Sequence, residues 1–286
     1  MVEISFIIVN YNTKMVTEAC IESLNSNKTL QFYNYEIIVV DNGSSDGSVK
    51  YLEKNENTAV IETGANNGFG LGNNIGAKSA KGRFLVLVNS DTIADKTNFK
   101  ELINLKKKDR SIGILSCKIL NEDSSIQSLG FEYPKLRSEF MLNILFWNFN
   151  FVKKIRMRNY INVGCIDVDW ISGCFMIIEK SDFNLVEGFD KEIFMYAEDM
   201  DLSYRIKKKK VIYDKTEIFH LHGKSNSGKL TLKKLVKSKK SYYYVIKKNN
   251  LASANKLKIF KIMHLLHFMV LLNLKKMSGF IRRKNE

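Results

Sequence analysis

The sequence predicts an α/β protein: a mixed, mainly parallel sheet flanked by helices, with a helical extension at the C-terminal end. Three observations carry this. Short apolar runs at residues 4–9, 36–40, 59–61 and 84–88 are rich in β-branched and aromatic types. They are too short for helices and read as strands buried on both faces. Stretches with helical spacing separate them, giving a β-α-β-α-β-α-β alternation over residues 4–92. Polar turns also follow the strands: Asn10-Tyr11-Asn12, Asp41-Asn42-Gly43 and Asn89-Ser90-Asp91. Open α/β sheets bind ligands just outside the carboxyl ends of their strands, so these turns mark the expected site.

Taken in order, strand 4–9 leads into a helix over 13–27, where Val16, Cys20 and Leu24 share one face. Strand 36–40 ends in Asp41 and a run of small turn-formers that opens a helix over 48–54. An acid after a second strand can accept hydrogen bonds from a ribose or a base edge. After strand 59–61 comes a glycine-rich piece, residues 66–76, running into helix as far as Ala80. Its Gly68, Gly70, Gly72 and Gly76 match neither a GxGxxG fingerprint nor a P-loop. Such glycines let a ligand approach the backbone at a helix N-terminus; they equally suit a turn with tight helix–strand packing. Strand 84–88 then delivers Asp91, a hard oxygen ligand suited to magnesium or manganese carrying a diphosphate, or else a simple helix cap.

An amphipathic helix over 99–108 and a strand over 112–120 follow. Residues 121–168 carry no clear period. Their aromatic segment 140–151, with Trp147, reads as a core helix, an acceptor-facing lid or a membrane-surface helix. Residues 167–180 return to a strand pattern. Glu198, Asp199 and Asp201 then head a helix over 198–209. Acids in a first turn complement the helix dipole, but the preceding Phe194 and Tyr196 would give a carboxylate a partly dry pocket in which to act as a base. Short strands at 211–213 and 218–219 lead to His220 and His222, which alternate in direction, so strand geometry lets at most one of them face a site.

Composition narrows the classes. With 45% hydrophobic and 26% charged residues the chain is an ordinary globular one. Its formal net charge of +15 favours an anionic partner: a phosphorylated ligand, a membrane surface or nucleic acid. Nucleic acid is set aside because no zinc-finger, RNA-recognition or helix-turn-helix pattern is present. The four cysteines form no CxxC pair and indicate a reducing compartment. The N-terminus lacks a basic n-region, and no apolar run reaches the ~18 residues of a membrane span. The expected location is cytoplasmic, with the lysine-rich 226–286 region able to lie on the inner face of the cell membrane.

Seven motifs in one order resemble the inverting family 2 glycosyltransferases of GT-A, Rossmann-like fold, in particular their rhamnosyltransferase-like branch. They are IIVNYN at 7–12, VVDNGSSDGS at 39–48, NNGFGLGNNIGAKSAKG at 66–82, LVNSDT at 87–92, WISGCFMIIEK at 170–180, EGFDKEIFMYAEDMDLSYR at 187–205 and HLHGKS at 220–225. The resemblance implies a catalytic domain over 1–225, with a nucleotide-sugar half over 1–92 and an acceptor half over 93–225, then a basic extension over 226–286. It implies that Val9, Asn10, Tyr11, Asp41, Asn67, Gly68, Asn74, Ser90 and Asp91 border a nucleotide-sugar donor, and that Trp170 and Gly173 line a saccharide or lipid-linked acceptor. Asp199, with Glu198 beside it, would deprotonate the acceptor hydroxyl. Asp91 and His220, or failing that His222, would hold a divalent Mn2+ or Mg2+. Asn89 replaces the first acid of the family's DxD metal motif, which leaves a catalytically inactive nucleotide-sugar-binding protein as the alternative reading. The donor would be dTDP-rhamnose or a UDP-sugar, used in surface polysaccharide synthesis.

Overall fold

The computed structural model describes residues 1–55, 57–128, 130–136, 163–221 and 232–284, with backbone alone at 232–234 and 270–284. These fall into two compact units, one within Met1–Glu132 and Ile161–Tyr242, the other within Tyr133–Tyr160 and Tyr243–Glu286.

The first unit is a mixed α/β structure. Its strands are β1 (Ile4–Asn10), β2 (Tyr35–Asp41), β3 (Thr58–Glu62), β4 (Phe84–Asn89), β5 (Thr92–Ile93), β6 (Ile112–Leu120), β7 (Ile126–Ser128), β8 (Cys165–Val168), β9 (Phe175–Glu179) and β10 (Lys209–His220). They form one sheet in the order β3-β2-β1-β4-β9-β6-β10-β5, with β7 on β6 and β8 on β10. The β3-β2-β1-β4 half is wholly parallel. Its register pairs Asn10 with Asp41 and Val9 with Asn89, so three strand ends finish level. Beyond β4 the sheet is mixed: β9 runs antiparallel to both β4 and β6, and β10 runs parallel to β6.

The flanking helices are α1 (Lys14–Asn25), α2 (Ser48–Leu52), α3 (Gly68–Ser79), α4 (Phe99–Lys108), α5 (Lys180–Leu185) and α6 (Glu198–Arg205). Two more, α7 (Leu232–Lys248) and α8 (Ala254–Lys284), follow β10. Period-2 alternation divides each central strand between two faces. Phe6, Ile8, Val39, Val86 and Val88 join Cys20, Ile21 and Leu24 of α1 and Phe99 and Leu102 of α4 in one core cluster. Phe99 meets Phe6 and Phe175 edge-on, with ring centroids 5.3 and 6.2 Å apart. Ile7 and Val40 point the other way, under α3.

The glycine-rich piece runs into helix as expected, and the helix α3 already begins at Gly68. A Cβ at Gly72 would lie 2.9 Å from Val9 Cγ1, and one at Gly76 would lie 2.5 Å from Ile7 Cγ2. Packing this close to the sheet leaves no room for a side chain. Three expectations change. The 167–180 pattern is two strands, β8 on β10 and β9 between β4 and β6, broken around Ser172-Gly173. The strands expected at 211–213 and 218–219 are one strand, β10, with a register shift between Tyr213 and Glu217. Buried Asp214 lies in that irregularity, where its carboxylate accepts the N–H groups of Val163 and Gly164 at 2.8 and 3.0 Å. The helix expected over 198–209 stops at Arg205. The 140–151 segment lies outside the described residues.

In the second unit, Phe260, Met263 and His264 of α8 are buried, and the Tyr243 hydroxyl lies 2.7 Å from His264 Nδ1. No helix among the described residues is long and apolar enough to cross a membrane.

The α3 contact is testable. Gly76→Val drives a branched side chain into Ile7 and Val40, and overpacking of this kind costs roughly 1–3 kcal/mol. The expected readout is a lower urea midpoint with unchanged slope.

Candidate active site

Asp91 follows β4 and is almost wholly buried, at 1% exposure. What brings His220 to it is the short pairing of β5 with the end of β10, His220 opposite Thr92. Leu221 N–H also donates to the Asp91 carbonyl at 2.8 Å. As a result His220 Nε2 lies 3.1 Å from Asp91 Oδ1 and 3.3 Å from the Asn89 side-chain amide. Its Nδ1 lies 3.0 Å from Gln127 Oε1 on β7. Each ring nitrogen of His220 thus faces an oxygen, Nε2 that of Asp91 and Nδ1 that of Gln127. Metal-ligating histidines are held this way, by an acceptor on the second nitrogen. Among the described residues no group of three His, Cys, Asp or Glu is placed to hold a metal. Asp91 Oδ1 and His220 Nε2 are the two such groups brought together at this strand end. His222 lies outside the described residues.

The second carboxylate group sits one strand over. Asn89 N–H donates to the Cys174 carbonyl at 3.0 Å, extending the β4–β9 pairing past Val88 and Phe175. The neighbouring Gly173 N–H donates to Asp199 Oδ2 at 3.0 Å, and Met200 N–H donates to Asp199 Oδ1 at 2.8 Å. The chain thus runs from Asp91 at the end of β4 to Asp199 at the start of α6 through four residues and two hydrogen bonds. Cys174 between them is buried. Burial first, then the nearby charges of Asp91 and Asp199, hold its thiol well above the ordinary range. One buried sulfur feels both carboxylates.

Asp199 and Glu198 divide the protonation between them. Burial raises the Asp199 carboxyl, while the N–H donors of Gly173 and Met200 favour its charged form. Glu198 is buried, and its Oε2 has no hydrogen-bond partner. Burial first, and the Asp199 charge second, push it up to about 8. Two adjacent carboxyls cannot both ionise cheaply in such a place, so the one without donors keeps the proton. The third acid, Asp201, is fully buried and paired with Arg205 Nε at 2.7 Å. This i,i+4 pair ties its own helix.

The backbone leading into α6 is strained. Tyr196 and Ala197 both have positive φ, 71° and 65°. This loop rests on the first turn of α3: a Cβ on Gly68, whose φ is +80°, would be 2.1 Å from the Phe194 carbonyl oxygen. Phe69 N–H donates to that oxygen at 3.3 Å. Gly173 is equally crowded, with a Cβ there falling 2.9 Å from the Phe69 ring.

The remaining predicted residues lie around the level strand ends. Val9 is half-buried under Gly72. Asn10 is buried: its Nδ2 donates to Asp41 Oδ2 at 2.6 Å, and its Oδ1 accepts from Thr13 and Thr17 at 2.7 Å each. Asp41 Oδ1 accepts the Ser44 N–H at 2.8 Å, so this acid organises the turn after β2. Tyr11 is 45% exposed beside them. Ser90 is buried, near the Thr13 hydroxyl at 3.5 Å. Asn67 donates to the Ala65 carbonyl at 3.1 Å. Asn74 uses both ends of its amide on the Phe189 backbone, at 2.8 Å each. Trp170 stacks on Phe131, with centroids 4.1 Å apart and planes at 16°, and its indole N–H donates to the Glu132 carbonyl at 3.2 Å. Sequence reasoning did not find Gln127, Phe131 or the Cys174 link. Each lies in or beside a stretch without a readable period.

The family model for glycosyl transferase family 2 matches residues 5–178, a span that takes in β1 through β9. The chain belongs to glycosyl transferase family 2. The glycosyltransferase is 26% identical over 224 residues to N-acetylglucosaminyl-diphospho-decaprenol L-rhamnosyltransferase of Mycobacterium tuberculosis, covering 72% of this chain and 73% of that one. It is 25% identical over 268 residues to rhamnosyltransferase WbbL of Escherichia coli K12, covering 90% and 98%. Solved structures share the fold at lower identity. GalNAc-T7 with UDP, GalNAc and Mn2+ superimposes with a TM-score of 0.65 at 17% identity, over 92% of this chain and 55% of that one. Staphylococcus aureus TarS gives 0.59 at 16%, over 93% of this chain, which spans 43% of TarS.

The carboxyl pair makes a prediction with a defined sign. A carboxyl raised on folding stabilises the fold fully below its unfolded value, and that contribution is lost as pH rises through about 8. Glu198→Gln removes the loss. The variant should melt higher than the parent at alkaline pH and close to it in mild acid.

Proposed function

We propose that this glycosyltransferase moves a sugar, with inversion, from a nucleoside-diphosphate sugar to a hydroxyl of a saccharide or lipid-linked acceptor. The donor is dTDP-rhamnose or a UDP-sugar and the setting is surface polysaccharide synthesis, in keeping with the rhamnosyltransferase names of the relatives. The observation that carries the reading is the Asn89–Cys174–Gly173–Asp199 path, which supports one cleft with Asp91 and His220 on the donor side and Asp199 on the acceptor side.

The chemistry follows. A sugar hydroxyl is a poor nucleophile until a base takes its proton. Asp199, held in its charged form by two N–H donors, accepts that proton. The acceptor oxygen forms a bond to the anomeric carbon while the bond from that carbon to the diphosphate oxygen breaks. The electron pair leaves with the nucleoside diphosphate, and attack from the opposite side inverts the centre. Asp91 and His220 would hold a divalent Mn2+ or Mg2+, which offsets the charge developing on the diphosphate. Tyr11 offers an exposed ring at the donor end of the sheet. The flat Trp170–Phe131 pair offers a surface on which a sugar ring can stack.

Asp199→Asn tests the base. General-base removal costs roughly 100- to 10,000-fold in turnover, and donor affinity by calorimetry should be unchanged. Near-parental turnover would move the role elsewhere. Asp91→Ala tests the donor side: UDP or dTDP should bind the parent more tightly with Mn2+ than without, and that difference should vanish in the variant. Equal affinities with and without metal in the parent would remove Asp91 and His220 from the role.

A further inference from the structure

The charge of this protein is confined to one part of it. Residues 226–286 contain sixteen Lys and Arg and a single acid, Glu286, while residues 1–225 carry 29 of each sign. The whole formal charge of +15 therefore belongs to the C-terminal 61 residues. Within that region α8 presents a second feature. Ile259, Ile262, Leu265, Leu266 and Met269 are 41, 58, 59, 48 and 51% exposed. They recur at three- and four-residue spacing and so share one face. The opposite face, with Phe260, Met263 and His264, is buried. Lys256, Lys258 and Lys261 are exposed on the same turns.

We infer that α8 is an in-plane membrane anchor, laying its Ile259–Met269 face into the headgroup boundary of an anionic bilayer. The two features together select this partner. Nucleic acid would answer the lysines, but it offers nothing to a stripe of Ile, Leu and Met, since its contacts to protein are mostly to phosphate and sugar through hydrogen bonds. A second copy of the chain would answer the stripe, but it would bring two regions of +15 together. An anionic bilayer answers both: acyl chains take the apolar face, and phosphate headgroups take the ammonium groups. With no helix among the described residues able to span, the interaction is a peripheral one. It stands independently of the donor and acceptor proposed above.

The test is sedimentation of the full-length protein with vesicles of phosphatidylcholine alone and of phosphatidylcholine with phosphatidylglycerol. The parent should partition strongly to the phosphatidylglycerol vesicles and release as salt is raised. The double variant Ile262→Glu, Leu265→Glu should bind them roughly tenfold or more weakly. Both positions are exposed, so its melting temperature should match the parent's. Lys256→Gln with Lys258→Gln should weaken binding to the anionic vesicles and leave the apolar component intact. Equal binding to both vesicle types by the parent overturns the inference. So does a Glu double variant that partitions like the parent, or one that only changes oligomeric mass in light scattering.

Discussion

The antiparallel insertion of β9 between β4 and β6 is the constraint on which the site depends. A parallel sheet alone would end at β4, with Asn89, Ser90 and Asp91 facing solvent beyond their strand. By pairing Val88 with Phe175, and then Asn89 N–H with the Cys174 carbonyl, β9 brings the turn before it to the same edge. Gly173 is in that turn, and its N–H orients Asp199. The same strand carries β6 and hence β10, whose last residue is His220. One strand direction thus links Asp91 to Asp199 on one side and to His220 on the other. A shift of β9 by one residue would exchange its buried faces and misplace both groups, which is why its register is strongly specified.

Much of this was readable from residues alone, and for a definable reason. Strands β1, β2 and β4 are built on apolar runs bounded by polar turns, and helix α4 has a clean amphipathic period, so their positions follow from local pattern. Their ends carry Asn10, Asp41 and Asp91 because the turns lie there. Pattern failed where long-range pairing decides the structure. Nothing local says that 167–180 divides at Ser172-Gly173 to serve two different neighbours, or that Asp214 sits in an irregularity of one long strand. The glycines of α3 left two readings open, ligand approach or tight helix–strand packing, because glycine is a poor helix former and marks no element by itself. Here close approach to Val9 and Ile7 outweighs propensity. Gln127 escaped notice because a three-residue strand gives no period to read.

Several polar residues at the strand ends act on the protein before they act on any ligand. Asn10, Asp41 and Ser44 bond to one another, and Asn74 clamps the Phe189 backbone. Buried polar groups left unpaired cost about 1–3 kcal/mol each, so this mutual satisfaction fixes the turn shapes. It also leaves Tyr11 exposed beside the turn after β2.

The loop before α6 shows how the remaining strain is borne. Two consecutive non-glycine residues, Tyr196 and Ala197, sit in the left-handed region, at a cost of about 1–2 kcal/mol each. Three contacts oppose their relaxation. Phe69 N–H and the Ser241 hydroxyl donate to the carbonyls of Phe194 and Met195, at 3.3 and 3.0 Å, and each such bond is worth about 1 kcal/mol net. The Lys237 ammonium lies 3.5 Å from the Phe194 ring centroid, adding about 0.5–2 kcal/mol. The two sides are of similar size, so the strained geometry is held by α3 and α7 together with little left over. What that geometry does is turn the chain sharply into α6, so that its first residues are Glu198 and Asp199. The Asp199 carboxylate is thereby aimed by the helix start itself, with Gly173 and Met200 fixing its two oxygens. A relaxed loop would keep the acids in the sequence but lose their direction.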